Sequence, residues 1–287
     1  MANWLRHVRA ANASPMTGTG TNSWLVGRGQ VAVIDPGPDD PAHLAALLGQ
    51  LAPGEEIVAI LVSHAHLDHT ALVPRLAALT GAPVHAFGTA GDGRSPLMQR
   101  LATEGLQGGG EGVDLRFTPE HRLTDGQALT LGGFTIETLH TPGHMGGHLA
   151  FACEGLLFSG DHAMGWATSL VSPPDGDMGA YMASLDKLAA RRWQRMLPGH
   201  GEAVENPGQR LAELATHRRT REAQVRAELA RAPGTAAELA ARIYTDTAPA
   251  LLPAAARNVL AHLIDLSERM LAIPEGDIAA QTRFTAP

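Results

Sequence analysis

The 287-residue sequence contains a single cysteine, Cys153, so an internal disulfide is impossible and a reducing compartment is the expected setting. No stretch approaches the roughly 18 apolar residues that a membrane-spanning helix needs. The opening MANWLRHVRAANASP has arginines but no continuous apolar run, so it reads as no secretory signal. The expected location is therefore cytoplasmic, with no membrane partner. Lysine is nearly absent, Lys187 being the only one, which together with abundant arginine and alanine reads as coding bias. Positive charge is also short, with 22 basic against 29 acidic residues and a net charge of −7. That argues against a protein that coats nucleic acid or anionic membrane with its whole surface, while leaving room for a local basic patch.

What is present is an apolar fraction of 44%, enough for a sizeable core, in a chain about twice the usual domain length. Short apolar strands dominate the first two-thirds. SWLVG (Ser23–Gly27) and VAVID (Val31–Asp35) flank a glycine-containing turn and suggest a hairpin. Helical periodicity follows over Pro41–Leu51, a buried strand over Ile57–Ser63, a helix over Ala71–Thr80 and a strand over Pro83–Phe87. Further strands are expected at Phe134–His140, His148–Cys153 and Gly155–Ser159, and an amphipathic helix at Met178–Arg192. Helices among so many strands predict an α/β sandwich with helices outside two packed sheets. Between Gly91 and Glu120 the pattern weakens around GLQGGGEG (Gly105–Gly112), which reads as a surface loop.

After Asn206-Pro207-Gly208 the sequence turns helical. A long charged helix runs from about Gln209 to Arg231. Thr235 and Glu238 form a capping box for Ala236–Tyr244, and a third helix spans Pro253–Arg269. Met270–Pro274 and Thr282–Thr285 can pair as a hairpin, giving the outline of a winged helix. The expected division is a catalytic domain over 1–205 and a winged-helix-like domain over 206–287.

The strongest chemical signal is His64-Ala65-His66-Leu67-Asp68-His69, directly after a buried strand. On extended backbone, residues i and i+2 point the same way, so His64 and His66 can grip one ion together. Asp68 and His69 follow the turn into the next helix and are placed for a second. Imidazole and carboxylate suit zinc, with Mn and Fe as alternatives. Three more segments, TPGH ending in His144, FSGD ending in Asp161 and LPGH ending in His200, each put a ligand-type residue beside a glycine at a strand-to-loop junction. A lone histidine is usually solvated or hydrogen-bonded in a core, but four such segments together point to a metal centre.

The ordered set Asp35, HAHLDH, His144, Asp161 and His200 resembles the metallo-β-lactamase superfamily over about residues 17–205. The resemblance implies a four-layer αββα sandwich. It implies that His64, His66 and His144 hold one metal and Asp68, His69 and His200 a second, with Asp161 bridging. Asp35 would brace the histidine loop. SPMTGTGTNSWLVG (Ser14–Gly27), VIDPGP, FSGDHAMGW, PPDGDMGAYMASL, HRRTRE and ARNVLAHL are similar to the lactamase-β-like endoribonuclease branch with its C-terminal winged helix. Many relatives have threonine where this chain has Ser63, a difference to which no consequence is attached. The implied enzyme is a hydrolase using a hydroxide between two zinc ions, whose shared water can have its pKa lowered towards ~7, with Asp68 as the catalytic residue that orients it or moves a proton.

Single-stranded RNA is the substrate that this branch implies, with Arg218, Arg219, Arg221 and Arg226 on the long helix as candidate phosphate guides. From Asn206 onward, however, ten arginines face nine acidic residues, a weak electrostatic footprint for nucleic acid. The alternative is a small-molecule acyl hydrolase, a thioesterase or lactonase, whose tail closes the pocket or forms a homodimer. A nucleic-acid-binding regulator is a third reading, disfavoured because regulation alone needs no seven metal ligands. His148 and His162 lie next to ligand segments, and His162 is expected either to touch substrate or donate a proton to a leaving group, or to pack behind the ligands. Met145, Met164 and Trp166 are expected in the core, with the pocket wall as the alternative, and Cys153 is expected in the core. Thr17-Gly18-Thr19-Gly20-Thr21-Asn22 lacks the lysine and the strand-then-helix context of a phosphate loop, so no nucleotide site is expected there.

Overall fold

The computed structural model describes residues 4–108 and 112–287. Six strands form the first sheet in chain order: β1 (Leu5–Arg9), β2 (Asn22–Arg28), β3 (Gln30–Ile34), β4 (Glu56–Leu61), β5 (Val84–Ala86) and β6 (His121–Arg122). Strands β1 to β3 are antiparallel, and β3 to β6 are parallel. The second sheet contains β7 (Ala128–Leu131), β8 (Phe134–His140), β9 (Leu149–Cys153), β10 (Leu156–Gly160) and β11 (Arg195–Pro198), ordered β11-β10-β9-β8-β7.

Period-two side-chain alternation explains the layering. In β9, Leu149, Phe151 and Cys153 enter the core between the sheets, whereas Ala150 and Ala152 face outward under helices. In β3, Ala32 and Ile34 face the inter-sheet core and Val31 and Val33 the opposite side. Leu47 of α1 (Pro41–Leu48) and, around α3 (Val73–Thr80), Leu72 and Leu76 cover the outer face of the first sheet. The single turn α2 (Leu67–Thr70) precedes α3. Tyr181, Leu185 and Leu188 of α5 (Met178–Ala189) cover the second sheet. The result is the four-layer αββα sandwich that the family resemblance implies.

Where apolar periodicity weakens, the structure has α4 (Pro96–Thr103), started by Ser95, whose hydroxyl accepts the Met98 N–H at 3.3 Å. Its Met98 and Leu101 pack into the C-terminal core rather than onto a sheet, so no strand neighbour in sequence announces it. Of the glycine-rich stretch Gly105–Gly112, residues 109–111 lie outside the described residues.

The tail comprises α6 (Pro207–Arg231), α7 (Ala236–Ile243) and α8 (Leu252–Glu268). A small sheet of β12 (Gly234–Thr235), β13 (Ile273–Pro274) and β14 (Arg283–Thr285) completes a winged helix, with β14 central. Thr235 and Glu238 form the capping box at the start of α7. Helix α6 belongs to two cores. Leu211, Leu214 and Ala215 pack with α5, while Val225 and Leu229 pack with α7 and α8. No helix among the described residues is long and apolar enough to cross a membrane.

Candidate metal centre

Backbone conformation divides the HAHLDH segment. His66 is extended (φ −102, ψ 145) and begins α2, so His64 and His66 precede the helix while Asp68 and His69 lie within it. Strand ends bring the other candidates to the same edge: β8 leads to His144, β10 to Asp161 and β11 to His200. Glycine is required at two of these ends. A Cβ on Gly199 would sit 2.3 Å from Asp161 Oδ1, and one on Gly160 would sit 2.6 Å from His148 Nε2.

All seven sequence-predicted ligand residues converge. His64 Nε2 lies 2.9 Å from His66 Nδ1, which lies 3.2 Å from His144 Nε2. Their outer nitrogens fix the tautomers. Ser63 Oγ donates to Asp35 Oδ2 at 2.7 Å, so His64 Nδ1 must donate to Ser63 Oγ at 2.9 Å and its Nε2 carries a lone pair. His144 Nδ1 donates to the Leu170 carbonyl at 2.7 Å, freeing its Nε2 likewise. At most one proton is then available among three facing nitrogens, an arrangement that a cation completes.

Asp68, His69 and His200 form the second group. His200 Nε2 lies 3.2 Å from Asp68 Oδ2 and 3.1 Å from Asp161 Oδ2, while His69 Nε2 lies 3.4 Å from Asp68 Oδ2 and 3.5 Å from Asp161 Oδ1. Asp161 Oδ2 is also 4.0 Å from His144 Nε2, which places this carboxylate between the groups. His69 Nε2 and Asp161 Oδ1 are buried without a hydrogen-bond partner among the described residues. Orphaned buried polar atoms are costly, and a divalent ion would satisfy both. The donor set therefore fits two divalent ions.

Electrostatics differ between the halves. Burial, then the charges of His69 and His66, holds His64 well below 6.5, and burial with His144 lowers His66 to about 3. Both are neutral, as metal ligands must be. Burial also opposes protonation of His69 and His200, but neighbouring carboxylates win. Asp68, Asp161 and Asp35 hold His69 well above its ordinary value, and Asp161 with Asp68 pushes His200 up to about 9. Burial acts against ionisation of Asp161, yet His200 and His69 hold it well below the carboxylate range.

Further residues brace the cluster, and of these Thr21 was not expected from the sequence to serve a ligand. Thr21 Oγ1 donates to Asp68 Oδ2 at 3.2 Å, and His200 Nδ1 donates to the Gly20 carbonyl at 3.3 Å. The TGTGTN loop thus supports the second group. His148 Nδ1 donates to Thr141 Oγ1 at 2.8 Å and its Nε2 accepts the Asp161 N–H at 3.2 Å, a bracing role. His162 packs on Tyr181 with both ring nitrogens unpartnered among the described residues, so it is a core residue. Cys153 is buried, and burial raises its thiol to about 11, which fits a core residue and no nucleophile.

A cavity of about 360 Å³ opens directly on His144 and Asp161. Met164, Trp166 and Leu170 line it together with Tyr244, Leu251 and Ala254 of the tail, and the tail also contributes His217, Arg218, Arg221 and Asn258. Met164 and Trp166 are thus cavity-wall residues rather than pure core, and Trp166 is 45% exposed. Met145 does lie in the core. Arg218 requires a larger correction. It was a candidate surface guide for phosphates, but it is only 2% exposed and is bonded inside the protein. Arg219 pairs with Asp186 at 3.7 Å, and Arg221 lies over the Tyr244 ring at 4.1 Å.

This fold and site define a metallo-hydrolase of the αββα class, and the chain belongs to the metallo-beta-lactamase superfamily, whose family model matches residues 16–200. The beta-lactamase associated winged helix domain matches residues 235–281. The chain is 31% identical over 270 residues to the beta-lactamase-like protein 2 homolog of Drosophila melanogaster, covering 91% of this chain and 87% of that one. It is 32% identical over 222 residues to an atrochrysone carboxyl ACP thioesterase of Aspergillus chevalieri, covering 76% of this chain and 63% of that protein. A metallo-beta-lactamase family protein from Thermus thermophilus shares the fold along 99% of both chains, with a TM-score of 0.77 and 24% identity.

Proposed function

We propose that this chain is a binuclear metal-dependent hydrolase of small acyl esters, thioesters foremost. The observation that carries the reading is the cavity. Apolar side chains make up much of its lining, beside the polar His217, Arg218 and Arg221, and it reaches His144 and Asp161. An acyl group of modest size can bury against Trp166, Leu170, Leu251 and Tyr244 while its carbonyl reaches the ligand cluster, the usual division of labour in a small-molecule site. The similarity to a fungal acyl-carrier thioesterase supports the same class.

Two zinc ions are the proposed cofactors, with Mn or Fe as alternatives, held by His64, His66 and His144 and by Asp68, His69 and His200, with Asp161 shared. When bound, such a pair supplies an activated water and polarises the carbonyl under attack. The chain's own part is positioning. Asp68 is the catalytic residue proposed to orient the nucleophile and accept or return its proton. Its side chain is 27% exposed against 11% for Asp161, so it is the less enclosed of the two cluster carboxylates, while Asp161 is the one that lines the cavity. Residues 1–205 are proposed as the catalytic domain and 206–287 as the domain that walls the cavity.

Cleavage of single-stranded RNA is the second reading. Its support is the Arg221–Tyr244 stack in the cavity wall, a pairing that suits a nucleobase or phosphate. The test is a substrate panel offered to metal-loaded protein: a short apolar acyl thioester, a lactone, a single-stranded RNA and a duplex, with Asp68→Ala as contamination control. Thioester turnover with intact RNA is expected. RNA cleavage that slows steeply with salt, alongside an untouched thioester, would replace the acyl reading.

A further inference from the structure

Three consecutive residues beside the metal cluster are held from the tail. Arg218 of α6 donates through Nη2 to the Ser169 carbonyl and through Nη1 to Asn258 Oδ1 at 3.0 Å. Asn258 of α8 accepts the Val171 N–H on the same Oδ1 at 3.0 Å. Between those two anchors lies Leu170, whose carbonyl fixes the His144 ring at 2.7 Å. Ser169 Oγ in turn grips the backbone carbonyls of Asp161 at 2.5 Å and His162 at 2.9 Å. Two tail side chains therefore hold a clip, and that clip holds two candidate ligands.

A buried guanidinium is a costly way to fill this position. Burying a charge is costly, and no carboxylate lies within ion-pair distance of Arg218 among the described residues. The Tyr181 ring, 5.0 Å from the guanidinium carbon, offsets part of that cost. What arginine adds over a packed methionine is a rigid fork that serves two acceptors at once.

We propose that Arg218 and Asn258 are positioning residues through which the tail sets His144 and Asp161 for metal binding. The inference rests on the two-metal reading above. Partners behind metal ligands typically change metal affinity by about 10- to 100-fold when removed, and the clip contacts both the His144 ring of the first triad and the backbone of Asp161, which bears the shared carboxylate.

The test uses full-length protein stripped of metal and titrated with Co²⁺ against a competing chelator, following stoichiometry, affinity and the cobalt ligand-field spectrum. Wild type is compared with Arg218→Met, Asn258→Ala and Ser169→Ala, with Arg231→Ala as the exposed control on the same helix. Urea unfolding checks that each variant is folded. About tenfold or greater weakening and an altered cobalt spectrum are expected for the three clip variants, and wild-type behaviour for Arg231→Ala. In Arg218→Ala, millimolar guanidinium should restore part of the spectrum where methylammonium does not. Folded Ser169→Ala and Asn258→Ala proteins that bind cobalt with wild-type affinity and spectrum overturn the inference, whatever Arg218→Met does. Wild-type protein that takes up no cobalt overturns the metal reading and this inference together.

Discussion

His69 Nδ1 donates to Asp35 Oδ2 at 3.1 Å, and the same carboxylate accepts the Ser63 hydroxyl and backbone N–H at 2.7 Å each. One buried side chain thus fixes the ring of a second-group ligand and, through Ser63, the tautomer of His64. Asp35 does this from a left-handed backbone (φ 51), a conformation that aspartate tolerates better than most residues. Asp35→Asn keeps the shape but can set an amide N–H against His69 Nδ1 or Ser63. Metal affinity is expected to fall about 10- to 100-fold in a folded protein, read by chelator competition. Wild-type affinity in that variant would contradict the bracing role.

Proton release separates the two groups. His64 and His66 are already neutral at pH 7, whereas His69 and His200 hold protons that an entering ion must displace. Affinity at the Asp68–His69–His200 group should therefore rise with pH as these protons are lost, which for His200 happens at about pH 9. Calorimetric titration in buffers of different ionisation enthalpy measures the release. Zinc uptake that frees no protons at pH 7 would contradict it.

Folding stability carries a separate pH signature outside the cluster. Burial, with Arg218 adding repulsion, lowers His262 from 6.5 to about 3. The unfolded chain takes up a proton there below pH 6.5 that the folded chain refuses until about pH 3. Stability is therefore full above 6.5 and falls as pH drops, by up to about 1.4 kcal/mol per unit for this one group. Urea unfolding at pH 7 and 5.5 should show the loss, and His262→Gln should flatten the slope. An unchanged slope in that variant would locate the proton uptake elsewhere.

The apolar wall sets substrate preference if acyl esters are the substrates. Trp166→Ala and Tyr244→Ala each remove a large side chain from the cavity lining. For a thioester with an apolar acyl group, kcat/KM should drop about tenfold or more, mainly through KM, as expected for losing roughly 1.5–3 kcal/mol of burial. An acetyl thioester should be affected far less. Equal losses for both substrates would show that these side chains support the fold and not the acyl group.

Much of this was legible in the sequence because the ligand residues sit at strand ends with short, readable signatures. HAHLDH, the two glycine-flanked histidines His144 and His200, and the glycine-flanked Asp161 declare themselves within a few residues of chain. The braces do not. Thr21 reaches Asp68 across 47 positions and Arg218 reaches Ser169 across 49, and no local pattern records such pairings. Arg218 misled because its neighbours are charged, suggesting a solvated face. Yet it falls seven residues after Leu211 and three after Ala215, on the buried stripe of α6, and that spacing was the available signal. Helix α4 was obscured because its apolar residues serve the tail core, and β7 because its Ala128–Leu131 alternates only half-buried with exposed positions.

The central claim is that the seven-residue cluster holds two ions that perform hydrolysis, and one titration addresses it most directly. Metal-free protein is titrated with zinc while an apolar acyl thioester is turned over, in parallel with Asp161→Ala. Turnover should be absent without metal, rise with added zinc and level off near two equivalents per chain, with folded Asp161→Ala inactive throughout. Undiminished turnover in the metal-free protein, or full activity and metal content in Asp161→Ala, would contradict the account.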